Sequence, residues 1–236
     1  AELNIIDGGT SATSTTIADA DRVVLNDNGT MVQAAVTDLK TYIGGGGLVR
    51  VGGQSTHTNA GTYDIDNVFT DTYTRYKIVG ALMQDNTSEH IFCKLRSWDG
   101  SSGANLEESK YDQAVTSSAV NGSGPTSPVG DMADAWNQSK FTVAHEPYND
   151  RSSNQYGVLL DYTLYRPASS NAFLAAPYLV GQVGFYEYNG GTPRWRVFST
   201  SIHYEATVTN LGGLRFFADN GNMSMIDVHI YGMVGS

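Results

Sequence analysis

Carboxylates gather at three places in this sequence: Asp64 and Asp66, Glu107 and Glu108, and Asp131 with Asp134. A glycoside hydrolase needs two carboxyl groups facing each other across a cleft, roughly 5 to 9 Å apart. On a strand Glu107 and Glu108 point to opposite faces, and turn or surface positions suit the others, so no acid–base pair is assigned. Asp64, Asp66 and Asn67, or Asp219, Asn220 and Asn222, bring together oxygens of the kind calcium takes, yet neither set matches a full calcium loop. His57, His90, His145, His203 and His229 are scattered, and a metal site built from them would have to be assembled from distant strands. No Gly-x-Ser-x-Gly elbow, His-Glu-x-x-His helix or Cys–His arrangement is present. The reading is therefore no catalytic residue, no metal and no cofactor.

Binding chemistry is easier to find. Tyr186-Glu187-Tyr188 and Arg194-Trp195-Arg196 set aromatic rings beside charges on neighbouring segments. Such surfaces stack against sugar rings while Arg, Asn and Glu hydrogen-bond hydroxyls. Cross-strand packing within or between subunits is the simpler use of the same residues. With Trp98 and Trp136 they form the set of candidate contacts to a surface ligand or a neighbouring subunit. Cys93 is the one cysteine, which excludes an internal disulfide. Ile91 and Leu95 share its side of a strand, so it reads as a buried, inert thiol.

Composition narrows the partners. Over 236 residues, 14 basic side chains stand against 24 acidic ones, a formal charge of −10. That balance repels phosphate backbones and anionic lipid, so neither nucleic acid nor membrane insertion is expected. Charged residues make up only 16% of the chain, so solvation falls to Ser, Thr, Asn and Gly. There is neither a charged-then-apolar leader nor a run of about eighteen apolar residues, which predicts folding in a cytoplasm.

The elements that must position these residues are strands. Residues 1–21 are small and polar and read as an extended arm without a core. In 22–43, two short strands flank Asn28-Gly29, a strong hairpin signal. Thr37 then suits the N-cap of a short helix over 38–43. A hairpin and under two helical turns cannot build a core, so Leu25, Met31, Leu39, Tyr42 and Ile43 are expected to serve trimerisation, docking on a partner, or both. Gly44 to Gly47 read as a flexible joint. No Lys-Ser/Thr follows them, which removes a phosphate loop.

From Leu48 to Ser236 the pattern predicts about eleven strands, near 48–52, 61–66, 73–84, 89–97, 109–116, 139–145, 155–165, 178–188, 194–207, 213–218 and 225–234. Val158, Leu160, Tyr162 and Leu164 alternate with Leu159, Asp161 and Thr163. Ile226, Val228 and Ile230 alternate likewise with Asp227, His229 and Tyr231. A long loop is expected from Ser117 to Trp136, anchored by Met132 and Trp136. The fold class is all-β, an antiparallel two-sheet jelly-roll sandwich preceded by the hairpin–helix module and the N-terminal arm.

Two regions also carry a family pattern. Asp21 to Gln33, followed by Val36 to Ile43, resembles a short module of tailed-bacteriophage virion proteins, tail fibres above all. Tyr73 to Ile78, Lys94 to Ser101, Leu214 to Phe217 and Ile230-Tyr231-Gly232 resemble the jelly-roll tips of the same proteins. The resemblance implies a virion structural protein, a homotrimer assembled in the host cytoplasm and later exposed on the particle. It implies that the N-terminal region attaches to other virion proteins of tail, baseplate or capsid, while the sandwich projects towards a host surface glycan or protein. A receptor-binding tail fibre subunit is the first reading. A capsid decoration protein is the second, and a glycan-degrading tail enzyme the third.

Overall fold

The computed structural model describes residues 16–44, 47–85, 90–106, 109–121, 124–126, 135–145, 147, 157–165, 176–189, 192–206, 208 and 210–233. Residues 1–15 of the expected arm, Glu107 and Glu108, Asp131, Met132 and Asp134 lie outside them. The chain divides into two units, Ala1–Gly47 and Leu48–Gly235.

In the first unit β1 (Arg22–Asp27) pairs antiparallel with β2 (Thr30–Ala35), from Arg22 opposite Ala35 to Asp27 opposite Thr30. That register leaves Asn28 and Gly29 as a two-residue turn with φ of 49° and 91°. Both angles are positive, as the twist of a tight hairpin requires, and Asn and Gly are the residues that tolerate them. Gly29 N–H donates to Asn26 Oδ1 at 2.7 Å. The helix, α1 (Val36–Gly44), follows without a loop. It starts before Thr37, which therefore sits inside the first turn and is not the N-cap expected for it. The Asp38 carboxylate reaches back instead, accepting from Ala35 N–H at 3.3 Å, and an acid there also suits the positive end of the helix. Among the described residues nothing closes over the apolar side chains of this unit. Val24, Met31 and Tyr42 are 57%, 66% and 87% exposed, Leu25 and Val32 are exposed, and Leu39 is half-buried.

The second unit is all-β. Its strands are β3 (Leu48–Thr56), β4 (Thr62–Ile65), β5 (Arg75–Gln84), β6 (Ile91–Trp98), β7 (Gly103–Asn105), β8 (Tyr111–Asn121), β9 (Gly124–Thr126), β10 (Ala135–Gln138), β11 (Phe141–Ala144), β12 (Val158–Tyr165), β13 (Tyr178–Asn189), β14 (Thr192–Tyr204), β15 (Leu211–Ala218) and β16 (Met223–Met233). Nine form one antiparallel sheet, in the order β10-β8-β14-β13-β12-β5-β16-β3 with β9 added beside β8. Five form the other, in the order β11-β6-β15-β4 with β7 beside β6. The three short strands β7, β9 and β10 were not expected. β8 runs on to Asn121, and with β9 and the start of β10 it takes up part of the stretch 117–136 that reads as a loop.

The sheets pack face to face in a sandwich, and period-two alternation decides what lies between them. Val158, Leu160, Tyr162 and Leu164 of β12 are buried while Leu159, Asp161 and Tyr165 are exposed. Across β16, Ile226, Val228 and Ile230 are buried as expected. From the smaller sheet Ile91, Cys93, Leu95, Phe141, Leu214 and Phe216 join the same core. Burial pushes the Cys93 thiol well above its usual range, so it stays protonated and inert. At a few per cent exposure, Gln113 of β8 spans the two sheets: its amide donates to Thr142 O at 2.7 Å and accepts from Thr142 N–H at 2.9 Å.

Candidate functional site

Alternation separates the residues grouped from sequence. On β13 and β14, Tyr186 faces Trp195 and Glu187 faces Arg194 across the ladder. Odd-numbered residues of β13 point towards the core, where Val183, Phe185 and Glu187 are buried. Tyr186 and Trp195 therefore project from the outer face of the nine-stranded sheet, and Arg194 and Arg196 from the inner one. The two rings meet edge-on, with centroids 5.2 Å apart and an interplanar angle of 68°. On the other side Glu187 Oε2 lies 2.7 Å from Arg194 Nε and 2.8 Å from Arg196 Nε. Arg196 and Glu187 are each 4% exposed, and charges so deep persist because they are paired. The arginines thus hold a buried ion cluster and do not share a surface with the tryptophan.

The remaining candidates fall elsewhere. Trp98 ends β6, half-buried, on the smaller sheet. Trp136 lies in β10 and Tyr188 in β13, with side chains outside the described residues. Ile43 is in α1, its side chain likewise outside them.

The acidic pair Asp64 and Asp66 is committed to arginine. Arg96, 4% exposed, donates to Asp66 through Nε at 2.6 Å and Nη2 at 3.0 Å, and to Asn105 Oδ1 at 2.7 Å and Gly103 O at 3.0 Å. Arg215 holds Asp64 by two bonds of 2.5 and 2.6 Å. A side chain on Gly103 would collide with the Asp66 carboxylate, its Cβ falling 2.4 Å from Oδ1, so glycine there lets the loop close over the pair. Guanidinium groups already match both carboxylates, which leaves them poor calcium ligands. Asp219 is matched by Lys140 at 3.2 Å. The rings of His90 and His145, far apart in sequence, meet at 4.2 Å between centroids. Among the described residues no group of three or more His, Cys, Asp or Glu side chains is placed to hold a metal ion.

What the outer face of the nine-stranded sheet does offer is a shallow depression across β8, β14 and β13, floored by Ala114, Thr116, Val180, Gln182, Ser199 and Ser201. The registers stack these residues in rows: Gln182 opposite Ser199 and Ser199 opposite Thr116, then Val180 opposite Ser201 and Ser201 opposite Ala114. Gln182 Nε2 donates to Ser199 Oγ at 3.3 Å. Aromatic pairs bound the floor at both ends of β13. At one end stand Tyr186 and Trp195. At the other, Tyr178 meets Tyr165 of β12 with centroids 6.4 Å apart, 39% and 42% exposed. His203 and Asp112 complete that second row. Beside them, hydrogen bonding to Asp112 and its negative charge push the Glu205 carboxyl up.

Chemically the depression can present hydroxyls and an amide to a polar ligand, with flat rings at its ends. None of its floor residues was singled out from sequence. Their signal was limited to polar residues at alternate positions, Thr116 and Ser118 of β8, Ser199 and Ser201 of β14 and Gln182 of β13, between positions that point to the core. Compared with known protein families, with curated proteins and with solved structures, the chain finds no match.

Proposed function

We propose that the chain is a virion structural protein of a tailed bacteriophage, a trimeric tail fibre subunit that attaches the particle to a host surface without cleaving it. One observation carries the reading: the first unit leaves Val24, Met31 and Tyr42 more than half exposed. A hairpin and one short helix in that condition are stabilised by burying the same side chains against companion copies or a particle protein. Leu25, Met31, Leu39 and Tyr42 are the contacts it would use.

The finer description of the second unit as a jelly roll is supported by its connections. The links β5 to β6 and β15 to β16 both pass between the sheets, and the four strands pair as β5 with β16 and β6 with β15, as in a rolled-up antiparallel ribbon. Attachment rather than hydrolysis is supported by the state of Asp64, Asp66 and Glu187, each matched by arginine. Weak contacts gain strength from threefold presentation and from many copies on one particle.

Light scattering on the purified chain tests the assembly. A mass of three copies is expected, and a monomer in which residues 22–43 remain ordered would overturn the reading. Purified trimer should also block adsorption of the phage that carries it, and unchanged adsorption at saturating trimer would count against attachment.

A further inference from the structure

We propose that the outer face of β8, β14 and β13 binds an extended, uncharged polysaccharide chain. The inference rests on the attachment reading and deepens it by naming the ligand class.

Between the Tyr186–Trp195 row and the Tyr178–His203 row lie three rows of paired residues. Those rows contain no acidic or basic side chain on β13, β14 or β8: Gly184, Val197 and Ser118 make up the first, and the depression supplies the other two. On β12 the span is flanked by Asp161, opposite Gln182 and already paired with Lys77. In a chain of net charge −10, such a span disfavours both polyanions and polycations, because no unpaired charge within it meets theirs. Its exposed polar groups are the Gln182 amide and the Ser199, Thr116 and Ser118 hydroxyls, which donate and accept towards sugar hydroxyls. A contact between copies of this chain would instead centre on apolar side chains that exclude water.

The ends supply what an uncharged ligand needs besides hydrogen bonds. A Cβ on Gly184 would fall 2.5 Å from Trp195 Cζ2 and 2.9 Å from Cη2. The indole therefore lies across the neighbouring strand and offers its outer side as a platform for a sugar ring. Trp195 and His203 stand on one strand, about 27 Å apart at roughly 3.4 Å per residue. That length suits a chain of several sugar units and not a single one.

The full chain is run by native electrophoresis through gels containing dextran, yeast mannan or galactan, with alginate as the charged control, and is applied to a glycan array. Retardation or capture by at least one neutral glycan is expected. Ser199→Arg, which adds bulk and charge to the floor at an exposed position, should weaken it by about ten-fold or more while the melting temperature stays unchanged. Three binding results overturn the proposal: no interaction with any neutral glycan, interaction with alginate alone, or binding unaffected by Ser199→Arg. A change of oligomeric mass in Ser199→Arg also overturns it, since the face would then be a contact between copies. If the trimer still blocks phage adsorption while neutral glycans fail, the ligand class falls and the attachment reading stands.

Discussion

Trp195 occupies the space that a side chain on Gly184 would fill, so the two residues fix each other across the β13–β14 ladder. Gly184→Val should lift the indole off the sheet. Overpacking of this kind costs about 1–3 kcal/mol. Urea titration and a shift in tryptophan emission would report it, and unchanged emission would contradict the placement of the ring.

Arg96 and Asp66 form an ion pair in which the guanidinium side chain is 5% exposed. Arg96 Nη2 also lies 3.2 Å from Asp64 Oδ2, so it takes Asp64→Ala together with Asp66→Ala to strand that charge, and breaking a buried pair in this way costs about 3–5 kcal/mol. The midpoint of urea unfolding should fall accordingly. A loss below about 1 kcal/mol, the scale of an exposed pair, would show that water reaches Arg96.

The Tyr162 hydroxyl is buried in the core and has no hydrogen-bond partner among the described residues, and desolvation pushes its pKa far up. Deleting an unsatisfied polar group is nearly neutral or favourable. Tyr162→Phe should leave stability unchanged or raise it by about 1 kcal/mol, and a marked loss would reveal a partner for the hydroxyl.

Glu205 binds its proton more tightly in the folded chain, because Asp112 hydrogen-bonds to it and repels its charge. With the folded pKa above the unfolded one, the native state takes up the proton as pH falls, and stability rises in that direction. Glu205→Gln should therefore stabilise at neutral pH. The gain should vanish as pH drops through the ordinary glutamate range, where the wild type becomes protonated too. Melting curves across that range check the sign.

Much of this fold was legible because burial and alternation coincide. Val158 to Leu164 of β12 and Ile226 to Tyr231 of β16 bury every second residue, and Asn28-Gly29 announces its hairpin. β7, β9 and β10 escaped notice because three or four residues at a sheet edge need no apolar face. The site was harder to see for two reasons. Arginine on a strand reads as an outward residue, yet Glu187 draws Arg194 and Arg196 inwards, away from Trp195. The depression, for its part, depends on β8, β14 and β13 lying side by side, and pairing between distant segments leaves no local trace.

Gln113 clasps Thr142 of the facing sheet, while its neighbour Ala114 floors the depression on the opposite side of the same strand. One backbone thus serves as both rivet and tabletop. A guest settling on that surface meets a strand already immobilised from behind, so little entropy is surrendered by the host when it is occupied.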